Sequence, residues 1–165
     1  MARSDMFLKL KGERTGEIQG ESNDKTFANQ IDVIDWSWGM SAPTAVGGQR
    51  TGRTQFKELK VVKTTDKAST ALMTVLNTNE KLTSVVLSVR KAGGVAAALP
   101  YFKVTLENAR ITDFEVQSDV TSSGAPTLTE HLSLSFTKVT IDYTLQGVSG
   151  GSQGGSTFVG DAVPS

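Results

Sequence analysis

Few residues in this sequence could do bond chemistry. There is one histidine, His131, and no cysteine. Thiol nucleophiles, disulfide frameworks, Cys-ligated zinc and iron–sulfur clusters are therefore excluded, and one chain cannot supply a His pair for catalysis or a His-rich metal site. A serine triad would have to recruit His131, the one histidine. Residues Gly47-Gly48-Gln49-Arg50-Thr51-Gly52-Arg53-Thr54 copy the spacing of a phosphate-binding loop, with Arg53 where the phosphate-gripping Lys belongs. That mechanism needs a helix start behind the loop, and the residues that follow read as a strand. A surface loop is the better reading. Glu107, Asp113 and Glu115 share one parity and read as a solvated sheet face. No active site, cofactor or metal site emerges. Trp36 and Trp38 share a strand face and read as core anchors; an exposed pair would instead make a stacking platform for sugars.

The elements that must position these residues are strands. Thr, Val and Ile together supply 41 of the 165 residues, side chains that suit a pleated, half-buried surface. A chain of this length is one domain and buries about 69% of its unfolded surface. Lys and Arg number 17 and Asp and Glu number 17, so the net charge is zero. A zero balance argues against non-specific nucleic-acid binding and leaves little repulsion between copies. No stretch has the roughly 20 apolar residues of a membrane helix, and charges interrupt the N-terminus too often for a signal peptide.

Alternation predicts strands at Met6, Leu8 and Leu10; at 31–38, with Ile34, Trp36 and Trp38 on one face and Val33, Asp35 and Ser37 on the other; and at 54–63, with Leu59 and Val61 on one face and Phe56 out of step. Residues 12–26 and 39–52 read as loops. The period then changes: Asp66 is placed to cap a helix of about three turns carrying Ala71, Leu72, Val75 and Leu76, stopping near Asn77 and Asn79. Strands resume at 84–90, with a turn at Lys91–Gly94. They continue through Phe102, Val104 and Leu106, kink near Asn108, and run on through Thr112, Phe114 and Val116. After a loop at 122–126, the apolar parity runs Leu128, Leu132, Leu134, Phe136, then flips at Thr137-Lys138 to Val139, Ile141, Tyr143, Leu145. A strand passing from one wall to another does this. Residues 1–146 are predicted to be a mainly β domain, an antiparallel barrel or sandwich of about seven to nine strands with one short helix. Residues 147–165 are predicted to be a flexible Gly/Ser-rich tail.

Three stretches carry a resemblance. They are Glu21-Ser22-Asn23-Asp24-Lys25 leading into Asp35-Trp36-Ser37-Trp38-Gly39; Thr64-Thr65-Asp66-Lys67-Ala68-Ser69 followed by Val89-Arg90-Lys91; and Leu128-Thr129-Glu130 with Asp142-Tyr143. Over about residues 5–146 the sequence resembles the Hcp (haemolysin-coregulated protein) family of bacterial type VI secretion systems. The resemblance implies a β-barrel with one helix packed on it, and six copies closing head-to-tail into a ring. It also implies rings stacking into a secreted inner tube that can hold effectors in its lumen, with sheath and spike proteins as further partners and no enzymatic activity. It implies synthesis in the cytoplasm and release without a cleaved signal. The loop at 41–52 corresponds to the family's extended loop, which makes Pro43, Gly47, Gly48 and Arg50 the stacking candidates. Strand parity places Ser37 opposite the tryptophans, on the outer or lumenal face, and under the resemblance it is the candidate for a lumen-facing residue that contacts cargo. Thr157-Phe158-Val159-Gly160-Asp161 matches the family's aromatic C-terminal segment poorly. The alternative reading is a small monomeric carbohydrate-binding module using Trp36 and Trp38.

Overall fold

The computed structural model describes residues 5–91, 100–120, 123–146 and 152–162. Among these, eleven strands and one helix follow in order: β1 (Met6–Gly12), β2 (Gly16–Glu17), β3 (Ile31–Ser37), β4 (Met40–Ser41), β5 (Gln55–Phe56), β6 (Leu59–Thr64), α1 (Ser69–Asn77), β7 (Leu82–Arg90), β8 (Pro100–Val120), β9 (Pro126–Ser135), β10 (Lys138–Gln146) and β11 (Ser152–Asp161). All pairings are antiparallel. β1, β3, β6, β9, β8 and β7 pair in a closed ring, and β10 and β11 extend from β8. This is the mainly β fold with one helix that composition and alternation predict; of barrel and sandwich it is the barrel, and it has eleven strands where seven to nine were expected, the short β2, β4 and β5 among them.

Closure depends on β8. Its first half pairs with β7 and β10 and its second half with β9. Two irregularities let one strand serve both walls. Asn108 adopts φ +50°, a left-handed conformation in which Asn is enriched, and the register with β9 shifts between Ile111 and Asp113. The inward set therefore runs Val104, Leu106, then Ala109 and Ile111, with Phe114 packed against the core. Thr112, expected inward, is the extra residue of the bulge and is exposed.

The core is filled by Leu8, Leu10, Ile31, Leu59, Val61, Leu87, Leu106, Leu132, Leu134 and Val139, and α1 closes over it with Leu72 and Val75. Three expected details are corrected. Ile34 is 49% exposed while Val33 is buried, because the register of β3 against β6 shifts between Val33 and Asp35; the bulge puts Ile31 and Val33 inside on one parity and Trp36 on the other. Leu128 is 49% exposed, because β9 projects beyond the barrel there. The expected strand at 54–63 is two strands, β5 and β6, and Phe56 packs with Trp38, Phe136 and Phe158.

The tail differs most. Residues 152–161, expected to be flexible, form β11, paired with β10 from Lys138↔Asp161 to Gln146↔Ser152. Backbone hydrogen bonds need no apolar composition, and Phe158 lies against Phe56 to give the strand an apolar anchor. Residues 147–151 and 163–165 lie outside the described residues, as does most of the turn expected at Lys91–Gly94.

Candidate functional site

Two exposed features stand out: an arm between β3 and β6, and the outer face of the wall formed by β3, β6, β9 and β8. The arm is a built hairpin. β4 pairs with β5 through Met40↔Phe56 and Ser41↔Gln55, and Thr44 bridges to Arg50. Thr51 N–H donates to the Pro43 carbonyl at 2.9 Å, Ala45 N–H to Gln49 at 2.7 Å and Gly48 N–H to Ala45 at 3.0 Å. Gly47 and Gly48 turn the tip at φ +100° and +85°, conformations that glycine adopts without steric cost. Pro43, Gly47, Gly48 and Arg50 thus fall together on one exposed projection. The phosphate-loop spacing leads into a strand, β5, with no helix N-terminus behind it.

The wall follows from register. Ser37 opposes Lys60, which opposes Ser133, which opposes Asp113; one row along, Asp35, Val62, His131 and Glu115 align. Directly opposed residues share a face, so Ser37 stands exposed in a polar row, and His131 lies across from Glu115. Trp36 and Trp38 take the other face, half-buried against the core. Trp36 stacks on Phe102 with ring centroids 5.6 Å apart, and Trp38 on Phe56 at 6.3 Å. Neither ring belongs to an exposed stacking platform. Among the described residues no three of His, Asp and Glu are grouped to hold a metal, and no helix is long and apolar enough to cross a membrane.

Beneath these surfaces sit three ionic nodes that the residue-by-residue reading missed. Lys63 is completely buried; its Nζ lies 2.7 Å from Glu130 Oε1, 2.9 Å from Asp66 Oδ1 and 3.2 Å from Ser69 Oγ. Burial pushes the Glu130 carboxyl up, but hydrogen bonds from Lys63, Ser69 and Thr65 and the Lys63 charge outweigh it and hold it below the usual range. Asp66 also caps the turn before α1, its Oδ1 accepting from Ala68 N–H at 3.0 Å. The helix proper therefore starts later than the sequence suggests. Arg90 puts Nη2 2.7 Å from Asp24 Oδ2 and Nε 3.3 Å from Asp5 Oδ1. Its guanidinium lies over the rings of Phe7 and Phe27, which stack on each other at 4.5 Å. The bond to Arg90 holds the Asp24 carboxyl below its ordinary value. Glu80 accepts from Thr15 N–H (2.9 Å), Arg14 N–H (3.1 Å) and Thr15 Oγ1 (2.8 Å); these bonds, Thr15 N–H foremost, hold its carboxyl low. Asp32 moves the other way, raised by burial and by the charges of Asp66, Asp24 and Glu21.

Parity carried a signal for the first node. Lys63 continues the inward set of Leu59 and Val61, and Glu130 that of Leu132 and Leu134. Two opposite charges aimed into one core must meet or be excluded. The nodes also join the stretches that carry the resemblance: Asp24 to Arg90, Glu21 Oε2 to Lys67 N–H at 2.6 Å, and Asp66 and Ser69 through Lys63 to Glu130.

Comparison with known proteins agrees with this geometry. A family model described as type VI secretion system effector, Hcp, matches residues 7–143. Protein hcp1 of Pseudomonas aeruginosa is 34% identical over 159 residues, covering 94% of this chain and 93% of that one. Among solved structures, Hcp1 of Salmonella typhimurium is 25% identical with a TM-score of 0.72, covering 96% of this chain and 94% of that one. A type VI secretion system effector from Yersinia pestis is 26% identical with a TM-score of 0.70, covering 95% and 99%. Hcp1 of an E. coli EAEC strain shares the fold at 19% identity, with a TM-score of 0.75 and coverage of 97% and 99%. By sequence and by fold, this chain belongs to the Hcp family of type VI secretion proteins.

Proposed function

We propose that this chain is the repeating subunit of a type VI secretion tube. It works by assembly rather than by bond chemistry. Six copies close head-to-tail into a ring, since a heterologous interface closes whenever its rotation does, and rings stack into a tube that a sheath drives outward behind a spike. The subunit is made in the cytoplasm and leaves through the apparatus. Pro43, Gly47, Gly48 and Arg50 act in stacking through the arm, and small effectors ride in the lumen against Ser37.

The observation that carries this reading is the division of β3 in a chain of Hcp sequence. Trp36 and the adjoining Trp38 pack inward while Ser37 and its cross-strand partners form an exposed polar row. Such a row suits transient contact with cargo. Size-exclusion chromatography with light scattering, then negative-stain imaging, tests the assembly: a six-copy ring with a central hole is expected, and a monomer at high concentration overturns it. Ser37→Gln is expected to keep the ring and lose co-purifying effector. Unchanged effector retention removes Ser37 from the lumen.

A further inference from the structure

The face that carries Ser37 is charged in a way that the whole chain is not. Directly opposed residues on the β3–β6–β9–β8 wall share a face, and alternate residues along each strand stay on it. Ser37, Lys60, Ser133 and Asp113 form one row, and Asp35, Val62, His131 and Glu115 the next. Thr64, Thr129 and Gln117 follow, then Thr127 and Asp119. These rows hold four carboxylates, on Asp35, Asp113, Glu115 and Asp119, against the single ammonium of Lys60, and all five side chains are exposed. The chain as a whole is neutral, so this face is acidic against its own background.

These charges are not neutralised within the molecule. The ion pairs among the described residues do not involve Asp35, Lys60, Asp113, Glu115 or Asp119. Asp35 accepts from Trp36 N–H at 2.9 Å and Glu115 from Gln117 Nε2 at 3.1 Å, neutral donors that leave the negative charge in place. The carboxylates are also spread out. Asp35 and Asp113 lie three strands apart, about 14 Å, and Asp113 and Asp119 six residues apart, about 20 Å. Among the described residues no three of His, Asp and Glu are grouped to hold a metal. The charge therefore acts over an area the size of a protein contact rather than at a point. Apolar grip is small on that area, since Val62 is half-buried and the other members of the rows are polar. An occupant is held there through charge and hydrogen bonds.

We propose that this wall selects cargo by charge: it takes small folded proteins with a cationic surface and turns acidic ones away. The inference rests on the tube reading and on Ser37's place in the lumen. It adds the class of cargo, and it adds Asp35, Asp113 and Glu115 as the residues that choose it. In a ring the acidic wall recurs on every copy, and walls of one sign around a confined channel add their fields. Each exposed contact is weak and screened by salt. Retention comes from several walls acting on one cargo at once, and cargo leaves without any single strong bond to break.

Two probes of one fold and opposite charge test it: cytochrome c, which is basic, and the same protein with its lysines succinylated, which is acidic. The full chain is mixed with each and passed through a size-exclusion column with light scattering and haem absorbance. At about 0.05 M sodium chloride the basic form is expected to co-elute with the ring, and at about 0.5 M to elute alone. Loading is expected to raise the ring's mass and leave its hydrodynamic radius unchanged, as cargo inside a channel does. The succinylated form is expected to elute alone throughout. A variant carrying Asp35→Asn, Asp113→Asn and Glu115→Gln is expected to keep the ring and retain about tenfold less of the basic form. A control carrying Glu13→Gln, Glu17→Gln and Asp161→Asn, the same charge change on exposed residues off the wall, is expected to retain as much as the unaltered protein. A ring that holds both forms alike or neither, a radius that grows on loading, or a control that loses as much as the wall variant overturns the selection and leaves the ring in place. The two probes on the unaltered protein decide the matter even where a variant does not fold. An unaltered protein that forms no ring overturns the tube reading itself.

Discussion

Lys63 Nζ and Glu130 Oε1 are 2.7 Å apart with both side chains wholly removed from water. The bond fastens β6 to β9, and through Asp66 and Ser69 it reaches the start of α1. Removing one member strands the other charge in the core. Glu130→Leu or Lys63→Met alone is expected to cost about 3–5 kcal/mol of unfolding free energy. The double variant is expected to recover much of that, because an apolar pair of similar size needs no solvation. Urea denaturation of the two singles and the double checks the cycle; a double variant as unstable as the sum of the singles rejects it.

Acid should weaken the fold through the carboxylates held low. Asp24, Glu80 and Glu130 have folded-state pKa values below their unfolded values of about 4. The stability they supply is complete above the unfolded values and is lost as pH falls through the folded ones. Asp32 has the opposite sign. Its raised folded-state pKa means its charge destabilises the fold at neutral pH, and the penalty vanishes below about 3.9. Asp32→Asn is expected to raise the melting temperature at pH 7 and to have no effect near pH 3. Thermal melts at both pH values decide it.

Arg90 grips two carboxylates and covers two stacked rings at once. A lysine keeps the charge but cannot reproduce the planar fork. Arg90→Lys is therefore expected to lower stability nearly as much as Arg90→Met, by about 2–4 kcal/mol. Amide exchange around Asp24 and Phe27 should accelerate in both variants. A fully stable Arg90→Lys protein would reduce the node to simple charge neutralisation.

β11 covers the outer edge of β10 and places Phe158 on Phe56. Deleting residues 152–165 uncovers that edge and part of the Phe56 cluster. The truncated protein is expected to melt at lower temperature and to aggregate, since an open strand edge templates further pairing. Light scattering during a thermal melt measures both. Identical melts would mean that the strand adds nothing to the barrel.

Alternation made the barrel legible wherever a strand kept one register. Leu8, Leu10, Val85, Leu87, Val104, Leu106, Leu132 and Leu134 all lie inside as their parity requires. Errors fell where an extra residue enters: Ile34 and Thr112 sit at bulges, and a period of two cannot count through an insertion; the flip expected at Thr137-Lys138 is there, with Phe136 and Val139 both buried. The β11 strand was hidden because its Gly- and Ser-rich composition reads as a tail, whereas a partner strand supplies its order. The ionic nodes join residues up to 85 apart in sequence, so spacing alone could not reveal them. The arm was legible as a long loop, but its hairpin pairing and the direction in which it projects come only from register.

The 21-residue strand β8 has a mechanical meaning. Its contour is about 70 Å, and it belongs to both walls of the barrel and to the paired ends of β8 and β9 that run on past Thr64. A push along the barrel axis is therefore carried by one covalent backbone from the β7–β10 wall to the opposite tip, with no loop or seam to buckle on the way. Asn108 and the bulge at Thr112 bend this strut without cutting it, so the subunit yields to compression by flexing at two points rather than by parting its sheets.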